Sequence, residues 1–116
     1  MSSLVIRSPD HPRAIANAIL DHLGGKRFLA MTGASDLLAI ESGLSFRLPP
    51  RLAHDRITHI EIQLELLSRY TVFFERTSRS GRRVEHVKKI TGVLPEQLQT
   101  RFHQITGLAT MLASIA

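Results

Sequence analysis

Thr58-His59-Ile60-Glu61-Ile62-Gln63-Leu64-Glu65-Leu66 places an apolar side chain at every second position. That is the period of a strand with one buried and one wet face. Tyr70-Thr71-Val72-Phe73-Phe74-Glu75-Arg76 follows, rich in aromatic and β-branched residues, and reads as a second strand. It runs into Thr77-Ser78-Arg79-Ser80-Gly81-Arg82-Arg83, whose composition is that of a hairpin turn. Val84-Glu85-His86-Val87-Lys88-Lys89-Ile90 reads as the last strand, though its alternation is imperfect. An antiparallel sheet is therefore the frame into which the rest must fit.

Working back toward the N-terminus, Leu44-Ser45-Phe46-Arg47-Leu48 alternates again and stops at Pro49-Pro50, with Glu41-Ser42-Gly43 as the turn before it. Leu37-Leu38-Ala39-Ile40, ahead of the hairpin turn, either continues a strand begun at Phe28 or begins another. Phe28-Leu29-Ala30-Met31-Thr32 reads as a further strand, with Gly33 as a bulge or a point of close approach before Ala34-Ser35-Asp36. Residues 51–56 form a polar loop.

Ahead of these, Ile15, Ile19 and Leu23 recur at helical spacing with Ala16 and Leu20 beside them. Asp10 is a suitable N-cap, Pro12 fits a first turn, and Gly24-Gly25 ends the helix, followed by Lys26 and Arg27 near its negative end. Leu4-Val5-Ile6 is either an edge strand or, as we read it, a tail against the core. On the C-terminal side Thr91-Gly92 breaks the strand, and Pro95 opens a helix carrying Leu94, Leu98, Phe102 and Ile105. Thr106-Gly107 caps or interrupts it, and residues 108–116 read as a short apolar helix that covers core or a partner subunit. The expected fold class is α+β: an antiparallel sheet of about four to five strands flanked by an N-terminal and a C-terminal helix, both on one sheet face.

Composition narrows the function classes. The 116 residues suit a single domain, and 43% hydrophobic against 22% charged is ordinary for a globular chain. Fifteen Lys and Arg against ten Asp and Glu give a formal charge of +5, which favours anionic partners. Without cysteine there are no disulfides, thiolate metal sites or thiol nucleophiles, which suits a reducing compartment. The sequence shows neither a membrane-spanning run nor a signal-peptide pattern, so the cytoplasm is the expected location and no membrane partner is expected.

The stretch from Leu23 through Met31-Thr32-Gly33-Ala34, followed by Leu44-Ser45-Phe46-Arg47-Leu48-Pro49, resembles a group of small phage and prophage-encoded proteins. Those proteins similarly carry a glycine-ended helix, an Arg-Phe segment running into Met-Thr-Gly-Ala, and a Leu-Ser-Phe-basic-Leu strand. The resemblance extends through Gly92-Val93-Leu94-Pro95-Glu96-Gln97-Leu98-Gln99 to Thr106-Gly107-Leu108, covering most of residues 15–108. It implies a phage or mobile-element context and transfers no catalytic residues. The segment from Arg76 to Lys89 is more basic than the resemblance implies.

That basic segment supplies the candidate site: Arg76, Arg79, Arg82, Arg83, Lys88 and Lys89, with Lys26, Arg27, Arg47 and Arg51 as further contributors. Such side chains would track a phosphate backbone, and exposed aromatics would stack on bases of a single strand. The alternation turns Phe46 and Phe74 to the core, and the plainer reading of an Arg-rich tip is a solvated loop that discourages edge pairing.

His54, His59 and His86 match no metal-binding spacing. Glu61 and Glu65 share a face, as does His59 with Glu61, and the carboxylates read as the wet side of the strand. Ser35, Asp36, Glu41 and Ser42 make no nucleophile constellation. Gly24-Gly25-Lys26 lacks phosphate-loop spacing and ends a helix where such a loop would begin one.

We therefore expect a non-enzymatic protein without cofactor or metal that binds nucleic acid through its basic hairpin. The alternatives are an inhibitor or modulator that docks on an acidic host protein, or a structural interaction module. A homodimer is compatible with either.

Overall fold

The computed structural model describes residues 10–77 and 84–108. In chain order they form α1 (Asp10–Leu23), α2 (Lys26–Thr32), β1 (Ser35–Ile40), β2 (Gly43–Arg47), β3 (His59–Glu65), β4 (Arg69–Thr77), β5 (Val84–Val93) and α3 (Leu98–Thr106). The strands lie side by side in sequence order, each pair antiparallel. This is the α+β arrangement that the alternation of β2, β3 and β4 requires. The expected turn over residues 77–83 falls, beyond Thr77, outside the described residues, as do Leu4-Val5-Ile6 and residues 109–116.

Leu44 and Phe46, Ile60 and Ile62, Tyr70, Val72 and Phe74, and Ile90 and Val93 share one sheet face and are all nearly inaccessible. Against them pack Ala16, Ile19, Leu20 and Leu23 of α1, Phe28 of α2, and Leu98 and Phe102 of α3. At the centre Phe28 meets Phe46 and Phe102 edge-on, at centroid distances of 5.4 and 5.3 Å. Edge-to-face aromatic pairs of this kind contribute about 0.5–1.5 kcal/mol beyond the area they bury. The Gln99 side-chain amide donates to the Leu23 carbonyl at 2.8 Å and ties α3 to the end of α1.

The segment Phe28–Thr32 is helical, not a strand. Over so short a run the apolar pattern fits either period, and the bracketing glycines decide the matter. The Gly25 carbonyl accepts from Leu29 N–H at 3.2 Å, and Gly33, at φ 73°, ends the helix by donating to the Leu29 carbonyl at 2.9 Å. Phe28 and Thr32, one turn apart, are the buried pair. Gly33 is a close-approach point as well, since a Cβ there would lie 2.8 Å from the Pro49 ring.

α3 ends in the same way. Thr32 and Thr106 each donate to the carbonyl four residues back at 2.8 Å and accept the N–H two residues on, and each is followed by a left-handed glycine.

Two other boundaries move. Gly43 belongs to β2, and the β1–β2 turn is Glu41-Ser42, because Ile40 pairs with Gly43. Gly43 is required there by space, since a Cβ would run into the Ile62 carbonyl. Thr91-Gly92 does not end β5: Tyr70 pairs with Val93 and Val72 with Ile90, so the strand carries an extra residue as a bulge, with Gly92 at φ 66°. Pro95 opens a short 3-10 turn, Pro95–Gln97, from which α3 continues.

Candidate nucleic-acid interface

All three helices pack on one face of the sheet, and no described element covers the other. The strand register fixes what stands on that open face. One row across β2 to β5 reads Ser45, Glu61, Phe73, Lys89, and the next reads Arg47, His59, Glu75, His86. Beyond it Thr77 stands opposite Val84, where residues 78–83 connect the strands and, by sequence, carry Arg79, Arg82 and Arg83. At the far end a groove of about 460 Å³ is lined by Glu41, Glu61 and Glu65 among others. The open face thus carries Arg47, His59 and His86 together with Glu75 at the end nearer the β4–β5 connection, and Glu61 and Glu65 together with Arg69, which pairs with Glu65, toward the opposite turns.

His59 anchors the end nearer the β4–β5 connection. Arg47 Nε donates to His59 Nε2 at 3.3 Å, which leaves Nδ1 as the protonated nitrogen, 3.2 Å from the Thr58 hydroxyl oxygen. That hydroxyl also accepts the Thr77 N–H at 3.0 Å. Burial, and secondly the Arg47 charge, hold the His59 pKa below its ordinary value, with Glu75 opposing. Arg47 is otherwise lightly held: its guanidinium lies 3.7 Å from the Asp36 carboxylate, and both side chains are mostly exposed.

In the adjoining row the Lys89 ammonium lies 5.4 Å from the centroid of the Phe73 ring, and the His86 ring is tilted against it in a T-shaped pair at a centroid distance of 5.9 Å. His86 Nδ1 is 3.3 Å from the Glu75 carboxylate. Glu61 accepts a hydrogen bond from the Gln63 amide.

The structure separates the sequence-derived basic cluster. Arg76 donates to Glu85 and to the Asp55 carbonyl, each at 3.0 Å, and so is committed within the fold. Lys88 pairs with Phe74 and Lys89 with Phe73, so the two lysines leave opposite sides of β5. Arg79, Arg82 and Arg83 lie outside the described residues. Lys26 and Arg27 belong to α2, and Arg51 sits in the loop after β2.

Phe73 escaped the sequence reading, although its signal was present: once Val72 and Phe74 are assigned to the core, Phe73 must face outward. Leu66 and Leu67, at the β3–β4 turn, are 87% and 86% exposed, and Leu67 takes φ 64°. Among the described residues no group of three His, Asp or Glu side chains is placed to hold a metal, and no helix is long and apolar enough to cross a membrane.

No protein-family model, curated protein or solved structure matches the chain. The site must therefore be read from its own chemistry.

Proposed function

We propose that this is a non-enzymatic nucleic-acid-associated protein, of the phage or mobile-element type that its sequence resembles, which binds the phosphate backbone at the end of its open sheet face nearer the β4–β5 connection. The reading is carried by where β4 ends and β5 begins, with the arginine-bearing residues 78–83 between them in sequence. Thr77 and Val84, the residues on either side of that segment, pair beside the row of Arg47, His59, Glu75 and His86, and its sequence brings Arg79, Arg82 and Arg83. Cations gathered there attract a polyanion over a distance set by ionic strength and release counterions from each phosphate they replace.

The test is binding of a labelled oligonucleotide by fluorescence anisotropy across a salt series, with the wild type and an Arg79→Ala/Arg82→Ala/Arg83→Ala variant. The reading expects affinity that falls with salt, and a variant with weaker binding and a flatter slope. A variant indistinguishable from the wild type would remove the connection from the site.

A second reading, docking on an acidic host protein as its modulator, draws support from Leu66-Leu67. An exposed apolar pair held partly in the left-handed region costs stability at a turn where Asn-Gly would not. Leu66→Ser with Leu67→Asn would weaken a protein partner and leave oligonucleotide affinity intact.

A further inference from the structure

We infer that the open face takes single-stranded nucleic acid, with an unpaired base stacked on Phe73, an inference that rests on the reading above. Five phenylalanines and one tyrosine are the chain's aromatic side chains, and it has no tryptophan. Phe28, Phe46, Tyr70, Phe74 and Phe102 are at most 3% exposed. Phe73 alone stands on the wet face, between Glu61 on β3 and Lys89 on β5. The core has no use for a ring in that position.

Its surroundings favour a nucleotide. The Lys89 ammonium 5.4 Å from the ring centroid marks a cation-attracting π surface. On a flexible stem, that ammonium can swing from the ring to a phosphate as a base takes its place. Cross-strand neighbours stand roughly 5 Å apart, so a base centred on Phe73 has its backbone within reach of Lys89. On the other side its edge faces the Glu61 carboxylate and the Gln63 amide, an acceptor and a donor suited to base edges and ill suited to phosphate. A backbone on the β5 side and base edges over β3 describe one strand, not two.

Duplex geometry does not fit. Its bases are stacked within the helix and offer Phe73 no free face, and a helix is the element most often inserted in the major groove. The longer helices α1 and α3 are packed against the opposite side of the sheet. The carboxylates of Glu61 and Glu65 would also oppose the second phosphate line of a duplex.

The test uses the full chain with a single-stranded oligonucleotide and the duplex of the same sequence. In anisotropy titrations Phe73→Ala and Phe73→Leu should each lower single-strand affinity by about five- to a hundred-fold. The leucine variant preserves apolar packing while removing the π face. The salt slope should not change, because no charge is lost. A Phe73→Trp variant, carrying the chain's sole indole, should retain binding and lose fluorescence when single strand, but not duplex, is added. Equal quenching by both forms, unchanged single-strand affinity in Phe73→Leu, or a preference for duplex would overturn the inference while leaving salt-dependent nucleic-acid binding in place. No binding of either form at low salt would overturn both.

Discussion

Arg76 and Glu85 face each other across β4 and β5 with the guanidinium Nε 3.0 Å from the carboxylate, while the same guanidinium reaches the Asp55 carbonyl. One side chain thereby joins the β4–β5 hairpin to the loop before β3. Arg76→Ala is expected to lower unfolding stability by about 0.5–1.5 kcal/mol, the range for a partly exposed pair with one further hydrogen bond. It should leave the salt slope of nucleic-acid binding unchanged. A drop in slope with intact stability, seen by urea unfolding beside the anisotropy series, would return Arg76 to the binding surface.

His59 gives the fold a pH dependence of definite sign. Its folded pKa lies below the ordinary 6.5, through burial first and Arg47 second, so as pH falls the unfolded chain takes up the proton before the folded one. The His59 contribution is therefore fully present above about pH 6.5 and is lost as pH falls from there toward the folded pKa. An NMR titration of its imidazole should give a midpoint below 6.5, and a midpoint above it would contradict the described environment. His59→Gln should flatten the urea-unfolding profile over the same window.

Gly43 occupies a position that no side chain fits, because its Cβ would meet the Ile62 carbonyl within the β2–β3 ladder. Gly43→Ala should cost more than about 2 kcal/mol, because either the ladder hydrogen bonds or the backbone must shift. Wild-type denaturant midpoints in this variant would show that β2 can move away freely.

Asn17, on α1, has a buried side-chain oxygen with no hydrogen-bond partner among the described residues. Asn17→Ala should stabilise the protein by about 0.5–2 kcal/mol, removing an unsatisfied acceptor and improving helix propensity. A lower midpoint in thermal or urea unfolding would mean that the amide makes a bond of its own.

Much of the sheet was legible because its strands are wet on one side. Ile60, Ile62 and Leu64 alternate with Glu61 and Gln63, and no helix places residues in that way. α2 was not legible, since Phe28-Leu29-Ala30-Met31 is apolar throughout and only its tertiary setting, between Gly25 and the Gly33–Pro49 contact, selects a helix. The continuation of β5 past Thr91-Gly92 was hidden because a bulge uses the residues that ordinarily end a strand. For the site, sequence proximity gathered Arg76, Lys88 and Lys89, and the pleat and an ion pair then divided them. The row Arg47, His59, His86 comes from three strands, and register alone assembles it.

The most direct test of the open face as the binding face is a backbone amide shift map of the protein titrated with a single-stranded oligonucleotide. We predict perturbations clustered at Arg47, His59, Phe73, His86 and Lys89, with Ala16, Ile19 and Phe102 on the helical side unmoved. Shifts confined to α1 and α3, or to the Leu66-Leu67 turn, would contradict the account.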